Sequence, residues 1–125
     1  MDPIDPKRNI KLRADKLAQD VYKLTEKFPR EELYVLTSQL RRAILSVPAN
    51  IIEGYARNRS KLFLNHLEIA FGSLAESRYF IYFAFKRNYM TKNEYEKIIN
   101  EAIEITKMLW SSIKTVSTKI ENNNQ

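Results

Sequence analysis

The segment SVPANIIEGYAR, residues 46–57, decides the fold of this chain. It contains Pro48 and Gly54, and proline and glycine are the residue types that a helix interior accommodates least well. Apolar residues nevertheless continue through it at helical spacing: Leu33, Leu36, Leu40, Ile44, Val47, Ile51 and Tyr55. The spacing predicts a helix that passes through Pro48 instead of ending there.

Three further segments carry apolar residues at the same spacing. Pro29 separates the first segment from the second, Ser60 is a suitable N-cap for the third, and Asn88 suits its left-handed end. The sequence TKNE, residues 91–94, has the capping-box pattern that begins a fourth helix. The predicted helices are residues 9–28, 30–57, 60–87 and 91–120.

The linkers between these segments are short, which makes consecutive helices antiparallel neighbours. The chain is therefore predicted to be all-α, an up-down-up-down antiparallel four-helix bundle that forms a single domain over residues 9–120. Residues 1–8 are expected to form an extended N-terminal lead-in, and residues 121–125 a disordered tail. A chain of 125 residues is long enough for one hydrophobic core.

The composition limits the chemistry and the partners of the chain. It has no cysteine, which excludes disulfides and thiolate metal sites, and it has no apolar run of the roughly 20 residues that a membrane-spanning helix needs. The start MDPIDPKRN does not resemble a signal peptide, so a cytoplasmic location is expected. The formal charge of +6 fits either a nucleic-acid partner or an ordinary basic surface.

The short turn between the second and third helices places polar residues opposite each other. Residues whose numbers sum to about 118 should lie at the same level of this hairpin. Gly72 would then allow the helix bent at Pro48 to approach closely. The predicted interhelix polar network comprises Arg42, Ser46, Asn50, Glu53, His66, Ser73 and Glu76. Such a set either fixes the register of the helices or supports chemistry, and it must satisfy its own hydrogen bonds.

The same hairpin has a basic tip, GYARNRSKLFLNHL, residues 54–67. Arg57, Arg59 and Lys61 are the main candidates for contact with a phosphate backbone, and Arg41 is a further candidate. Asn58 and Ser60 would add hydrogen-bond donors, and the helix start would favour an anion. A solvated basic turn without a ligand is the alternative.

The sequence YFIYFAF, residues 79–85, has too many consecutive apolar residues for one helix face to bury. Tyr79, Tyr82 and Phe83 are therefore predicted to lie in a subunit interface. A groove for a partner helix and the stacking of nucleic-acid bases are the alternatives.

The sequence offers little for catalysis. His66 is the only histidine, there is no Glu-x-x-His pair, and there is no glycine-rich phosphate loop. Glu53 and His66 could move a proton, but no nucleophile accompanies them. The chain is predicted not to be an enzyme and to need no metal or cofactor.

Residues 28–77 carry a dense set of motifs: Phe28-Pro29, Leu36-Thr37 with Gln39 and Arg42, then Ser46, Pro48, Asn50-Ile51, Glu53-Gly54, Arg57, Ala70, Gly72-Ser73 and Glu76. In these the chain resembles the four-helix-bundle family of 23S rRNA intervening-sequence proteins, named for reading frames inside insertions in bacterial 23S rRNA genes. The resemblance implies a ring-shaped homopentamer. It extends to accessory proteins of diversity-generating retroelements, basic pentamers thought to bind nucleic acid and a reverse transcriptase.

Together the residues and the resemblance predict an oligomeric, basic, non-enzymatic bundle that binds structured RNA or other nucleic acid through backbone charge. The alternative is an oligomeric scaffold or adaptor that binds an acidic protein partner. The two hypotheses differ in whether the protein has a salt-dependent affinity for RNA.

Overall fold

The computed structural model describes residues 9–57 and 59–123. Four α-helices follow one another: α1 (Ile10–Thr25), α2 (Ser38–Arg57), α3 (Ser60–Lys86) and α4 (Lys92–Asn123). A 3-10 turn, Arg30–Glu32, and a π turn, Leu33–Thr37, lead directly into α2. The described residues contain no strand, so the all-α prediction is confirmed.

Each helix packs against the next one along the chain, and α1 also packs against α4, which closes the bundle. The core is filled by the apolar stripes of all four helices. Its most deeply buried large side chains are Leu17, Val21, Leu40, Ile44, Val47, Ile51, Leu67, Leu74, Ile81, Ile105 and Leu109. The predicted four-helix bundle is thus the observed architecture.

The helix boundaries follow from their capping residues. Asn9 Oδ1 accepts from the backbone N–H groups of Lys11 and Leu12, at 3.0 and 3.2 Å, and so caps α1. Thr91 and Glu94 form the predicted reciprocal capping box at the start of α4, at 2.8 and 3.1 Å. Asn88 has φ 65°, the left-handed conformation that was predicted to end α3.

The C-terminal end of the chain differs from the sequence prediction. The tail was expected to begin at residue 121, but α4 continues to Asn123, because neither glycine nor proline interrupts it there. The predicted lead-in, residues 1–8, and the last two residues lie outside the described part of the chain.

The predicted apolar stripe of the second helix is correct only in its middle. Leu33 and Tyr55 are 42% and 50% exposed, whereas the stripe residues between them are buried. Leu33 lies in the π turn, whose wider spacing moves it off the line of the α-helix that follows. Tyr55, near the end of α2, packs its ring against that of Phe63, with 4.8 Å between the centroids.

Candidate functional site

A line of hydrogen bonds joins α2 to α3 along one side of the bundle. We call Ser46, Asn50, His66 and Ser73 the polar seam. Ser73 Oγ donates to Ser46 Oγ at 2.9 Å, which links the two helices directly. Asn50 Nδ2 donates to both the carbonyl and the hydroxyl oxygen of Ser46, at 2.8 and 2.9 Å. α2 continues through Pro48 beside this cluster.

The seam fixes the orientation of His66. The amide nitrogen of Asn50 faces Ser46, so its Oδ1 faces His66 Nδ1 at 3.0 Å, and Nδ1 must carry the donated proton. His66 Nε2 then points towards Glu53 Oε1, 4.0 Å away. Glu53 also accepts from Arg57 at 2.8 Å. That hydrogen bond, followed by the charge of His66, lowers the pKa of Glu53 below 4.5.

Arg42 and Glu76 lie at the solvent edge of the same contact. Arg42 Nη2 is 3.9 Å from Glu76 Oε2 and donates to Gln39 at 2.7 Å. Both side chains are largely exposed, so this pair contributes little to stability. The structure thus brings together α2 and α3 residues whose numbers sum to between about 116 and 119.

The arrangement of the polar seam fits a structural role better than a catalytic one. No buried side-chain nitrogen or oxygen of the described residues lacks a hydrogen-bond partner. The two seam hydroxyls bond to each other, and the contacts of His66 are with Asn50 and Glu53 instead of a serine. No described group of three or more His, Asp or Glu residues could hold a metal ion. The hydrogen bonds of the seam hold α2 and α3 in the register that their short connection sets.

The glycine at the close contact between α2 and α3 is not the one that the sequence predicted. Gly72 was predicted to allow the close approach of α2, but a Cβ atom placed on it would meet nothing within 4 Å, because it faces solvent. Gly54 is the glycine at the close contact. A Cβ atom there would lie 3.0 Å from Phe63 Cδ1 and 3.1 Å from His66 Cβ.

The cations at the tip between α2 and α3 differ in whether they are paired with an acid. Arg57 is paired with Glu53, whereas Arg59 and Lys61 are exposed and have no ion-pair partner among the described residues. The first turn of α3 has no acidic residue, and its N-cap residue is Arg59 instead of the predicted Ser60. The side chain of Arg59 makes no capping hydrogen bond. Asn58, the predicted additional donor, lies outside the described residues.

Two further lysines, which were not among the predicted site residues, lie at the same end of the bundle. The ring pairs Phe71–Trp110 and Phe85–Tyr95 place α3 and α4 residues whose numbers sum to about 180 at one level. Lys119 is therefore level with Lys61, and Lys114 lies slightly more than one turn before it. The rule that residue numbers at one level of a hairpin have a constant sum, applied to α3 and α4, would have identified both lysines from the sequence. The basic end is the name for Arg57, Arg59, Lys61, Lys114 and Lys119, and by the same summation the exposed acid Glu121 is level with Arg59.

Arg41, the fourth nucleic-acid candidate, lies elsewhere. It is about 24 Å from Arg57 along α2. Its Nε donates to Thr25 Oγ1 at 2.8 Å, and its guanidinium lies 4.7 Å from the centre of the Tyr22 ring. These contacts give Arg41 a role in joining α1 to α2, so it is removed from the candidate interface.

The predicted interface aromatics lie on the outside of α3. Tyr79, Tyr82 and Phe83 are 57%, 47% and 39% exposed, and the rings of Tyr79 and Phe83 are 6.3 Å apart. Other half-exposed apolar residues extend along α2 and α3: Leu45, Ile52, Leu62 and Ile69. The sequence analysis did not single them out, although their seven-residue spacing on each helix is a visible signal.

Residues 7–111 match the family described as 23S rRNA-intervening sequence protein. A crystal structure of a protein with unknown function from the S23 ribosomal protein family of Bacteroides thetaiotaomicron is similar to this chain, with a TM-score of 0.79 and 31% sequence identity. The similarity covers 86% of this chain and 98% of that protein. No curated protein matches the sequence significantly. None of the described helices is both long and apolar enough to cross a membrane.

Proposed function

This chain belongs to the 23S rRNA-intervening sequence protein family, and we propose that it is an oligomeric, non-enzymatic protein that binds structured RNA or another nucleic acid through its basic end. In this proposal the protein works in the cytoplasm, without a cofactor, and recognises the charge and shape of the backbone instead of the base sequence.

The observation that carries the proposal is the state of Arg59 and Lys61. Both are exposed beside an acid-free helix start, and neither has an acidic partner among the described residues. Free cations and helix N–H groups together are suited to phosphate. Lys114 and Lys119 of α4 lie at the same end of the bundle.

Oligomerisation would strengthen such a surface by repeating it. A few phosphate contacts in one subunit are weak, but copies held at fixed spacing add through multivalency. We take the number of subunits, five, from the family resemblance. The exposed aromatic cluster of Tyr79, Tyr82 and Phe83 supports an interface on the outer side of α3.

Gly72 gives a second, independent reason for an interface there. A glycine inside a helix costs about 1 kcal/mol relative to alanine, and Gly72 makes no close contact within its own chain that would require it. A close approach by another subunit would explain a glycine at this position.

Replacing Tyr82 by aspartate tests the assembly directly. Tyr82→Asp is expected to shift the protein from the full oligomer towards the monomer, because a carboxylate at a buried apolar contact is unfavourable. Tyr34→Asp is the matched control, since Tyr34 is 88% exposed and lies outside the aromatic cluster. Sedimentation equilibrium measures both variants; a Tyr82→Asp protein that retains the full mass would contradict the interface.

RNA affinity measured at several salt concentrations tests the basic end. Arg59→Ala/Lys61→Ala is expected to weaken binding to a folded rRNA fragment and to reduce the salt slope by about one unit per lost phosphate contact. Arg57→Ala should have a smaller effect, because Glu53 already neutralises Arg57. Lys86→Ala/Arg87→Ala, at the opposite end of the bundle, is the control. Equal losses in both double variants would contradict a localised site.

The second candidate function is that of a scaffold or adaptor for an acidic protein partner. It is favoured by Lys23 of α1, an exposed cation far from the basic end that has no acidic partner among the described residues. The neighbouring Lys16 and Lys27 are already paired with Asp20 and Glu94. If wild-type protein binds no RNA at low salt, this second function becomes the leading one.

A further inference from the structure

Trp110 is the only tryptophan of the chain, and its side chain is 53% exposed on α4. Phe71 of α3 packs against it, with 5.9 Å between the ring centroids and 42° between the ring planes. This contact holds the indole in place and leaves half of it open to solvent. A large aromatic ring that is supported on one side and open on another offers a surface on which a flat group from outside the chain can stack.

Two lysines flank Trp110 on its own side of α4. Lys107 precedes it by three residues and Lys114 follows it by four, the spacings at which helix side chains are neighbours. Both lysines are exposed. Lys107 is 3.5 Å from Glu104 in a solvent-exposed pair, which is weak, and Lys114 has no acidic partner among the described residues. The lysines are about 10.5 Å apart along the helix, with the indole between them.

This pattern of charge favours a nucleotide over a second copy of the chain as the group that covers Trp110. Lysine is depleted in the cores of protein interfaces, so an aromatic ring between two lysines is unlike such a core. A nucleotide needs an aromatic ring for its base and cations for its phosphates. Lys114 also belongs to the basic end, so a nucleic acid bound there lies next to the indole.

An acid beside the indole fits the edge of a base better than a further phosphate. Glu68 precedes Phe71 by three residues and therefore lies on the same side of α3. By the constant sum of about 180, it is level with Ser112, between the levels of Trp110 and Lys114. Glu68 is exposed and has no ion-pair partner among the described residues. A carboxylate at such a position accepts hydrogen bonds from the amino group of a base.

We infer that Trp110 is a stacking platform for an unpaired base of the nucleic acid that the basic end binds. The inference rests on the proposed function and deepens it, because it names RNA with unpaired nucleotides, such as a loop or a bulge, as the ligand class. Bases within a duplex are stacked on each other, so their faces are not available to a side chain. Every base has an aromatic face, so the platform distinguishes unpaired from paired nucleotides and not one base from another.

The test compares two labelled RNA hairpins that have the same stem and the same number of phosphates. The loop of one hairpin carries its bases, and the loop of the other is abasic. Anisotropy of the label measures binding, and the emission of Trp110, the only tryptophan, measures stacking. The wild-type protein is expected to bind the intact loop about tenfold more tightly than the abasic loop, and only the intact loop is expected to quench Trp110.

Trp110→Leu is expected to remove this tenfold preference: its affinity falls for the intact loop and is unchanged for the abasic loop. Tyr34→Leu is the matched control and should keep the preference, since Tyr34 is 88% exposed and lies in the π turn, far from the basic end. Lys107→Ala/Lys114→Ala is expected to weaken both hairpins alike, because both carry the phosphates. A weakening confined to the intact loop would contradict the role of the lysines.

Binding of the intact loop without a change in Trp110 emission would overturn the inference and leave the proposed function standing. Equal weakening of both hairpins by Trp110→Leu would also overturn it, since a merely structural role has that effect. A red shift of the emission in Tyr82→Asp without RNA would show that a second copy covers the indole, with the same consequence. If neither hairpin binds the wild-type protein, the proposed function and the inference both fail.

Discussion

The two helix pairs on opposite sides of the bundle are joined in different ways. α2 and α3 meet through short side chains and a glycine: the Ser46 and Ser73 hydroxyls are 2.9 Å apart, and Gly54 lies against Phe63. α1 and α4 are bridged by long charged side chains, such as Arg13 to Glu101, which leave a groove beneath them. Short side chains and a glycine thus accompany close packing of one helix pair, and long charged side chains accompany a groove in the other.

The largest effect on the free energy of unfolding is expected from a bulky side chain in the close contact between α2 and α3. Gly54→Leu should destabilise the fold by about 3 kcal/mol, because even a Cβ atom at this position would be 3.0 Å from Phe63. Gly72→Leu is the matched control and should stabilise the helix by up to about 1 kcal/mol, since its surroundings are open. Urea unfolding of both variants in a Tyr82→Asp background excludes effects on assembly. Similar losses of stability would refute the assignment of Gly54 as the close contact.

A smaller effect is expected from removing the central amide of the polar seam. Asn50→Ala should cost about 2 kcal/mol, because it leaves His66 Nδ1 without its acceptor and removes two donors to Ser46. Asn65→Ala, at an exposed position of α3, should change the free energy of unfolding by less than about 0.5 kcal/mol. If Asn50→Ala were equally neutral, the seam would not hold the register.

The smallest effect on the free energy of unfolding is expected from Glu94, near the start of α4, and it depends on pH. The hydrogen bond from Lys27, followed by that from the Thr91 backbone, holds the pKa of Glu94 below 4.5. The stability that this carboxylate contributes is therefore complete above pH 4.5 and is lost as the pH falls through its lower folded-state value.

Glu94→Gln should consequently reduce stability by at most about 1 kcal/mol at about pH 6 and by less at about pH 3, because wild-type Glu94 loses its charge as the pH falls through its lowered pKa. Urea midpoints at both pH values check this. Glu68→Gln, at an exposed position, is the control and should differ from wild type by less than about 0.5 kcal/mol. A Glu94→Gln deficit that is undiminished at low pH would contradict the role of the ion pair.

The parts of the molecule that could be predicted from sequence are those governed by a short connection. The short turn between α2 and α3 leaves almost no freedom of register. The rule that residue numbers at one level sum to about 118 therefore placed Ser46 near Ser73, and their hydroxyl groups are hydrogen-bonded in the structure. The capping box at Thr91 is a local interaction and was likewise readable. The apolar spacing predicted the four helices because burial of one stripe per helix dominates their stability.

The features that were missed depend on distances that no short connection fixes. Arg41 contacts α1, and the segment between α1 and α2 contains a 3-10 turn and a π turn that alter the rotation of α2. Which of Gly54 and Gly72 faces a neighbouring helix depends on that rotation. The groove lies between α1 and α4, which are far apart in sequence, so its width follows from the packing of the whole bundle.

The measurement that tests the central claim most directly is the affinity of the wild-type protein for a folded 23S rRNA fragment and for a matched DNA duplex, each at two salt concentrations. The account predicts micromolar or tighter binding to the RNA that weakens steeply as salt rises, as counterion release requires. It also predicts weaker binding to the duplex DNA. Absence of RNA binding at the lower salt concentration would contradict the account, and the basic end would then be an ordinary solvated surface.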